Sequence, residues 1–285
     1  MQSFIRWGAY PIIFGMTAIA QVWVLIQQLP YWPLSPMIAA LGISAVALLE
    51  RVSPYIDRWN KDHGDSGADI LHAAFSLTLI FVSAEIVSLF RQQLPISSAW
   101  PVHAPIALQI FYAGLIIDFG LWGMHWLSHQ VPLLWKFHAL HHSAERLYWL
   151  NGERRHPVSA LLLAGPGLIA AVLLGAPAAI IGGWFAIIAV HLAFQHANLN
   201  YRIGPLRYLI STAEVHRWHH KRDYQDAQVN FGEFWSVWDI VFGTFRYHAQ
   251  QLTASEVGVQ GAMPKNYLEQ LYWPFQTHSA DKPAE

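Results

Sequence analysis

Five long apolar runs decide what this chain can fold into. They cover residues 7–29, 34–49, 70–94, 104–124 and 158–195, and most of them are long enough to cross a bilayer as a helix. Of all residues, 54% are hydrophobic and only 12% are charged. A chain inside a bilayer must satisfy its own backbone hydrogen bonds, and a helix does so within one run. The sequence therefore predicts an all-α integral membrane protein.

The runs predict about four transmembrane helices followed by a helical hairpin. Runs 7–29 and 34–49 form an N-terminal hairpin within residues 1–49, because the turn-like sequence LPYWPLSP separates them. A signal peptide is the alternative for the first run, which nevertheless continues past the cleavage-like residues 18–20. The run 158–195 is broken near Pro177, so its two arms leave and return to one side of the membrane.

The basic residues predict the orientation. Sixteen of the seventeen Lys and Arg residues share one face if Arg6, the loop 50–69 and everything after residue 124 lie there. The positive-inside rule assigns this face to the cytoplasm. We therefore expect a multi-pass protein of the inner (cytoplasmic) membrane. No basic patch interleaved with aromatic residues suggests a nucleic-acid partner.

Histidines are concentrated in one part of the chain. Eleven of the sixteen lie between residues 125 and 220, and the absence of cysteine excludes thiolate metal sites. Residues three or four apart on a helix share a face, so the patterns HWLSH, HALHH and HRWHH each aim their rings together. A lone buried histidine is usually a hydrogen-bonded structural residue. The repeated spacing instead favours a transition-metal site that uses His125, His129, His138, His141, His142, His216, His219 and His220.

These three patterns, in this order, resemble the histidine boxes of the fatty acid hydroxylase and sterol desaturase superfamily of membrane non-haem di-iron oxygenases. The segments RRHP at 154–157, QHAN at 195–198, NFG at 230–232 and WDIVFGTF at 238–245 also look like its bacterial branch. The resemblance covers residues 50–250, the expected catalytic region. It implies a cytoplasmic histidine-rich helical cap in which the eight histidines above and His196 bind two iron ions, with O2 as co-substrate.

Further residues receive expected roles from their positions. His156 is a possible metal ligand, and so is Asn200, which stands where family members often have another histidine. Asp118, two helical turns before the first box, could accept a hydrogen bond from one of its histidines. Asp226 and Asn230 could do the same for the last box.

The remaining histidines and the C-terminal tail have structural interpretations. We expect hydrogen-bonding roles for Asp239 and for His63, His72, His103, His191, His248 and His278. Within the tail 251–285, apolar residues at helical spacing in 264–275 predict a helix that docks on the rest of the protein.

The resemblance implies an oxidoreductase that acts on a membrane lipid. We expect hydroxylation of an acyl chain or a polar headgroup, with a sterol or other C-5-type lipid desaturase as the alternative. The sequence contains no cytochrome b5, flavin or dinucleotide motif, so we expect a separate electron donor, namely a ferredoxin, cytochrome b5 or flavoprotein reductase.

Other classes of protein fit less well. A metal transporter would place its ligands near the bilayer midplane on spanning helices, whereas these boxes flank the spans. A zinc hydrolase would carry an HExxH motif, which is missing. A bis-histidine haem protein is the third alternative.

Overall fold

The computed structural model describes residues 2–276, and this part of the chain is helical without any strand. Six long helices are apolar enough, by length and composition, to cross a membrane. They are α1 (Gln2–Ile26), α2 (Tyr31–Val52), α3 (Ser66–Gln93), α4 (Ile106–Gln130), α6 (Pro157–Leu174) and α7 (Ala178–His196). Shorter helices are α5 (Pro132–His142), α8 (Ala213–His219), α9 (Ser236–Phe242) and α10 (Tyr267–Tyr272). The prediction of an all-α, multi-pass membrane protein is confirmed.

The helix ends define one side of the molecule, which we call the histidine side. Here the start of α1 meets the chain after α7, since the Arg202 amide donates to the Arg6 carbonyl at 2.7 Å. The chain leaving α2 reaches the same place, where the Tyr55 amide donates to the Asn198 carbonyl at 3.1 Å. On the opposite side, the Ala99 amide before α4 donates to the last residue of α6. The arms α6 and α7 therefore leave and return as the broken run predicted.

Small residues set the packing of the spanning helices. At the crossing of α4 and α6, a Cβ atom on Gly120 would lie 2.4 Å from the Gly167 backbone nitrogen. On the same face of α4, Gly114 makes room for the ring of Trp184 from α7. Most residues of α7 are buried, and it packs against α1, α2 and α4. It is the central helix of the bundle.

The outer helices present apolar side chains to their surroundings. Ile19 on α1, Leu41 on α2 and Phe90 on α3 are each at least 70% exposed. Large exposed apolar surfaces of this kind are unfavourable in water and normal against lipid.

Helices α5, α8, α9 and α10 form a cap on the histidine side. The cap begins while α4 is still helical, because α4 continues six residues past the predicted end at 124. No proline or glycine follows until Pro132 opens α5. The predicted tail helix is shorter than expected, yet it is docked, since buried Gln270 of α10 contacts the His72 ring at 2.8 Å. The predicted structural residue His278 lies outside the described residues.

The crossing of α4 and α6 yields a stability prediction. A methyl group on Gly167 would lie 2.4 Å from the Ile117 carbonyl oxygen, and backbone atoms cannot move aside cheaply. We expect Gly167→Ala to lower the free energy of unfolding by about 1–3 kcal/mol, measured by thermal unfolding in detergent. Gly165→Ala, two residues away with nothing within 4 Å, is the control. Equal stability of the two variants would contradict this packing.

Candidate metal centre

Four chain segments bring the histidines together. The first box ends α4, and Val131 alone separates α4 from α5, so the second box folds back over the first. His196 is the last residue of α7, and the third box spans α8 and its C-terminal cap. The site is therefore built from the ends of spanning helices and from the cap.

The structure brings all nine predicted histidines into two adjoining buried groups, each able to hold a metal ion. Within each group, one nitrogen per ring lies within 4.8 Å of the others. One group contains His125, His129, His138, His142 and His219, and the other contains His141, His196, His216 and His220. Neighbouring residues on a helix point about 100° apart, so the HH pairs of both boxes contribute one ring to each group.

Backbone carbonyls fix the tautomers of two facing rings. His125 donates from Nδ1 to the Phe231 carbonyl, and His219 donates from Nδ1 to the Val229 carbonyl, both at 2.8 Å. A neutral imidazole carries one proton, so each ring presents a bare lone pair at Nε2. These two Nε2 atoms are 2.8 Å apart. Facing lone pairs repel, and a shared cation turns that repulsion into attraction.

The second group repeats this pattern with a side chain. His196 donates from Nδ1 to the Asn151 side-chain oxygen at 3.2 Å, which leaves its Nε2 lone pair 3.1 Å from Nε2 of His216. The Asn151 amide nitrogen donates to the Arg146 carbonyl, which fixes the orientation of the amide.

The other rings have no competing partner. The Nδ1 atoms of five rings have no hydrogen-bond partner among the described residues: His138, His141, His142, His216 and His220. Burial is the main reason why the pKa values of these five histidines lie well below the ordinary value. The rings are therefore neutral at pH 7 and their lone pairs are available to a metal. Buried, neutral and clustered imidazoles fit transition-metal ions.

Acidic and basic residues surround the groups in buried pairs. Glu233, 2% exposed, has one carboxylate oxygen 3.5 Å from Nδ1 of His125 and the other 3.0 Å from the Arg155 guanidinium. Arg154 pairs with Asp69 at 2.7 Å. The RRHP segment thus ties α3 and the NFG segment together around the histidines.

Two candidate ligands are placed elsewhere. His156 caps α6, where Nδ1 accepts from the Val158 amide and Nε2 donates to the Leu271 carbonyl. Both of its ring nitrogens are occupied, so it is not a member of either group. Asn200 is exposed and is also outside both groups.

The three predicted acceptors contact backbone or solvent-side groups instead of histidines. Asp118 accepts from the Phe234 and Trp235 amides, at 2.8 and 3.1 Å, and thereby joins α4 to the chain before α9. Asp226 forms an exposed pair with Lys221. Asn230 has a positive φ of 55°, and it stands between the two carbonyls that hold His219 and His125. Its backbone conformation aims these acceptors, which a sequence pattern does not display.

Residues that the sequence patterns missed complete the surroundings. Glu233 directly follows the NFG motif, and Asn151 lies three residues before RRHP, so proximity to motifs was the available signal. The Gln228 side chain lies 3.2 Å from Nδ1 of His129. His191 has both ring nitrogens engaged, by the Tyr10 hydroxyl and the Ser211 carbonyl, in agreement with a structural role.

Comparison with known proteins places this arrangement in a family. The fatty acid hydroxylase model matches residues 110–244. Ornithine lipid hydroxylase OlsE of Rhizobium tropici is 34% identical over 82% of this chain and 73% of its own length. Alkylglycerol monooxygenase of Danio rerio is 27% identical over 64% of this chain, which spans only 39% of that relative. Methylsterol monooxygenase 1 of Rattus norvegicus is 25% identical over 47% of this chain and 46% of its own length.

No solved structure matches the chain. The relative from Rhizobium nevertheless covers most of both sequences, and the matched region contains all nine clustered histidines. The chain therefore belongs to the fatty acid hydroxylase family and is a membrane-bound oxidoreductase.

Proposed function

We propose that this protein is an O2-dependent di-iron oxygenase that hydroxylates a membrane lipid. The observation that carries the proposal is the pair of adjoining all-histidine groups at the ends of membrane-spanning helices. Each group would hold one iron ion, through the nine histidines. Bound iron would supply the reduction of O2 and the removal of hydrogen from an unactivated C–H bond.

The residues around the histidines prepare the site for this chemistry. The carbonyls of Val229 and Phe231 and the Asn151 oxygen orient three rings. Glu233 is a buried carboxylate beside His125 and provides negative charge near a site whose nine rings are neutral. All nine histidines are at most 2% exposed, so water is excluded from the reacting centre.

A groove on the membrane-facing surface offers a place for the substrate chain. It lies between α4 and α6, has a volume of about 520 Å³ and is lined almost entirely by apolar atoms. Along α4 it extends from Leu115 to Met124, the residue before His125. The Trp238 ring, held by Asp118 at 3.0 Å, lines the groove as well. We propose that a lipid chain lies in this groove and is presented to the histidine groups from inside the bilayer.

The relatives guide the substrate class and the outcome. Those compared above are named as hydroxylases or monooxygenases, which favours hydroxylation over desaturation. The relative that covers most of both chains acts on ornithine lipid, so we place an amino-acid-containing polar lipid first, ahead of an alkylglycerol or a sterol.

Orientation and electron supply complete the proposal. The basic residues favour the cytoplasmic side of the inner membrane for the histidine side. A soluble or membrane donor, either a ferredoxin, cytochrome b5 or flavoprotein reductase, would deliver electrons there.

The adjacent residues His141 and His142 provide a test of two metal positions. They belong to different groups, so we expect His141→Ala and His142→Ala each to retain about one iron per chain where the unaltered protein retains about two. Metal analysis of the purified proteins by mass spectrometry measures this. His103→Ala, which removes an exposed ring on the opposite side, should leave the iron content unchanged. Loss of iron from neither His141→Ala nor His142→Ala would contradict the ligand assignment.

The groove is tested by filling it. A Cβ atom at Gly123 would meet nothing within 4 Å, so Gly123→Leu should fold and occupy the space where the lipid chain would lie. We expect at least about a tenfold loss of lipid hydroxylation with iron content retained. Gly165→Leu, equally unobstructed and outside the groove, should keep its activity. Equal rates for both variants would exclude this groove.

The reaction itself is tested with isotope. Cells with and without the gene are grown under 18O2, and their total lipids are compared by mass spectrometry. We expect one polar-lipid species to gain a single 18O atom only when the gene is present. A species that loses two hydrogens without gaining oxygen would instead indicate desaturation, and no change in any lipid would contradict the proposed activity.

A further inference from the structure

A polar cavity lies beside α8, on the histidine side but away from the two histidine groups. Its volume is about 210 Å³, and it is bounded by the start of α1, the chain after α7, α8 and residues 247–251. Three arginines line it: Arg6, Arg202 and Arg217. An adjoining cavity of about 410 Å³ shares Arg6 and Asn200 with it.

The cavity has an excess of positive charge. Within the described residues, no carboxylate oxygen comes within 4 Å of a side-chain nitrogen of these three arginines. Glu214 also lines the cavity, but it pairs with Arg207 at 3.2 Å and accepts from the Ile203 amide at 2.7 Å. Exposed Asp57 lines only the adjoining cavity.

Arg217 makes this excess costly. The side chain is 4% exposed, lies 3.8 Å above the Tyr55 ring and donates through Nη2 to the carbonyls of Ala197 and Leu199. Its Nε atom is buried without a partner, and so is Nε of Arg6. A buried guanidinium keeps its charge, and without an opposite charge it loses solvation that nothing restores. Two unpartnered guanidinium donors at one cavity therefore point to an anionic ligand.

The position of the cavity identifies the source of the anion. Arg6 lies in the second turn of a spanning helix, which places the cavity at the membrane boundary. Trp7 and Tyr208 nearby are more than half exposed, as aromatic residues are at the headgroup level. An anionic group carried by a lipid can reach this level while its chains stay in the bilayer.

We propose that this cavity binds the phosphate group of an anionic phospholipid from the leaflet on the histidine side. The ligand is a neighbour of the protein and not its substrate, so the inference is independent of the proposed oxygenase reaction. On α8, His216 and His220 face the histidine groups, whereas Glu214 and Arg217 face the cavity. A bound headgroup would therefore hold α8, and with it the third box, from the outer face.

Lipid binding by the full chain tests the proposal without any loaded metal. Purified protein is mixed with phosphatidylglycerol or phosphatidylcholine in detergent, and retained lipids are counted by native mass spectrometry. We expect the unaltered protein to retain phosphatidylglycerol in preference to phosphatidylcholine. The double variant Arg6→Gln/Arg202→Gln should bind phosphatidylglycerol about tenfold more weakly or less. It spares buried Arg217, whose replacement would endanger folding.

Two matched variants and one soluble anion make the outcome decisive. Arg58→Gln removes the same kind of charge from an exposed site on the same side, outside both cavities, and should bind like the unaltered protein. Arg6→Lys/Arg202→Lys keeps the charge and should recover most of the binding. Equal phosphatidylglycerol retention by the unaltered protein and Arg6→Gln/Arg202→Gln would overturn the proposal. Equal thermal stabilisation by inorganic phosphate and by phosphatidylglycerol would overturn the lipid source.

Discussion

The structure depends on buried imidazoles whose lone pairs face one another. Two carbonyls on either side of Asn230 commit His125 and His219 to tautomers whose bare Nε2 atoms lie 2.8 Å apart. Nothing in the polypeptide relieves this repulsion, because the nearest carboxylate, Glu233, lies at the Nδ1 side of His125. A cation between the rings relieves it, so metal binding and the folding of the cap are linked. The same polypeptide conformation that positions the ligands therefore creates the need for the metal.

The spanning helices serve this centre by ending in register. The helix α4 continues beyond its apolar run and carries the first box, α7 ends on His196, and the glycine contact of α4 with α6 holds the bundle beneath them. Polar ties then lock the cap, notably Arg155 to Glu233 and Asp118 to the chain before α9. A site at the ends of spanning helices can be dry and still be reached from the bilayer. This combination suits oxidation of a lipid chain.

Much of this could be predicted from the sequence because membrane spans and helical spacing are local properties. The five apolar runs gave the six long helices, and the three box patterns together with the QHAN motif gave all nine clustered histidines. The orientation of the surrounding residues could not be predicted in this way. Asn230 acts through its backbone, His156 is occupied by a helix cap and by α10, and Glu233 is brought to His125 by a long-range fold. Such contacts depend on tertiary geometry, which spacing along one segment does not contain.

The central claim is that two iron ions occupy the two histidine groups of one chain. Iron K-edge X-ray absorption of the purified, iron-loaded protein tests it most directly, because the spectrum reports both the atoms that coordinate iron and any iron neighbour. The account predicts imidazole-dominated coordination together with scattering from a second iron atom. A spectrum with sulfur or mainly carboxylate ligands, or with isolated iron at full loading, would contradict it.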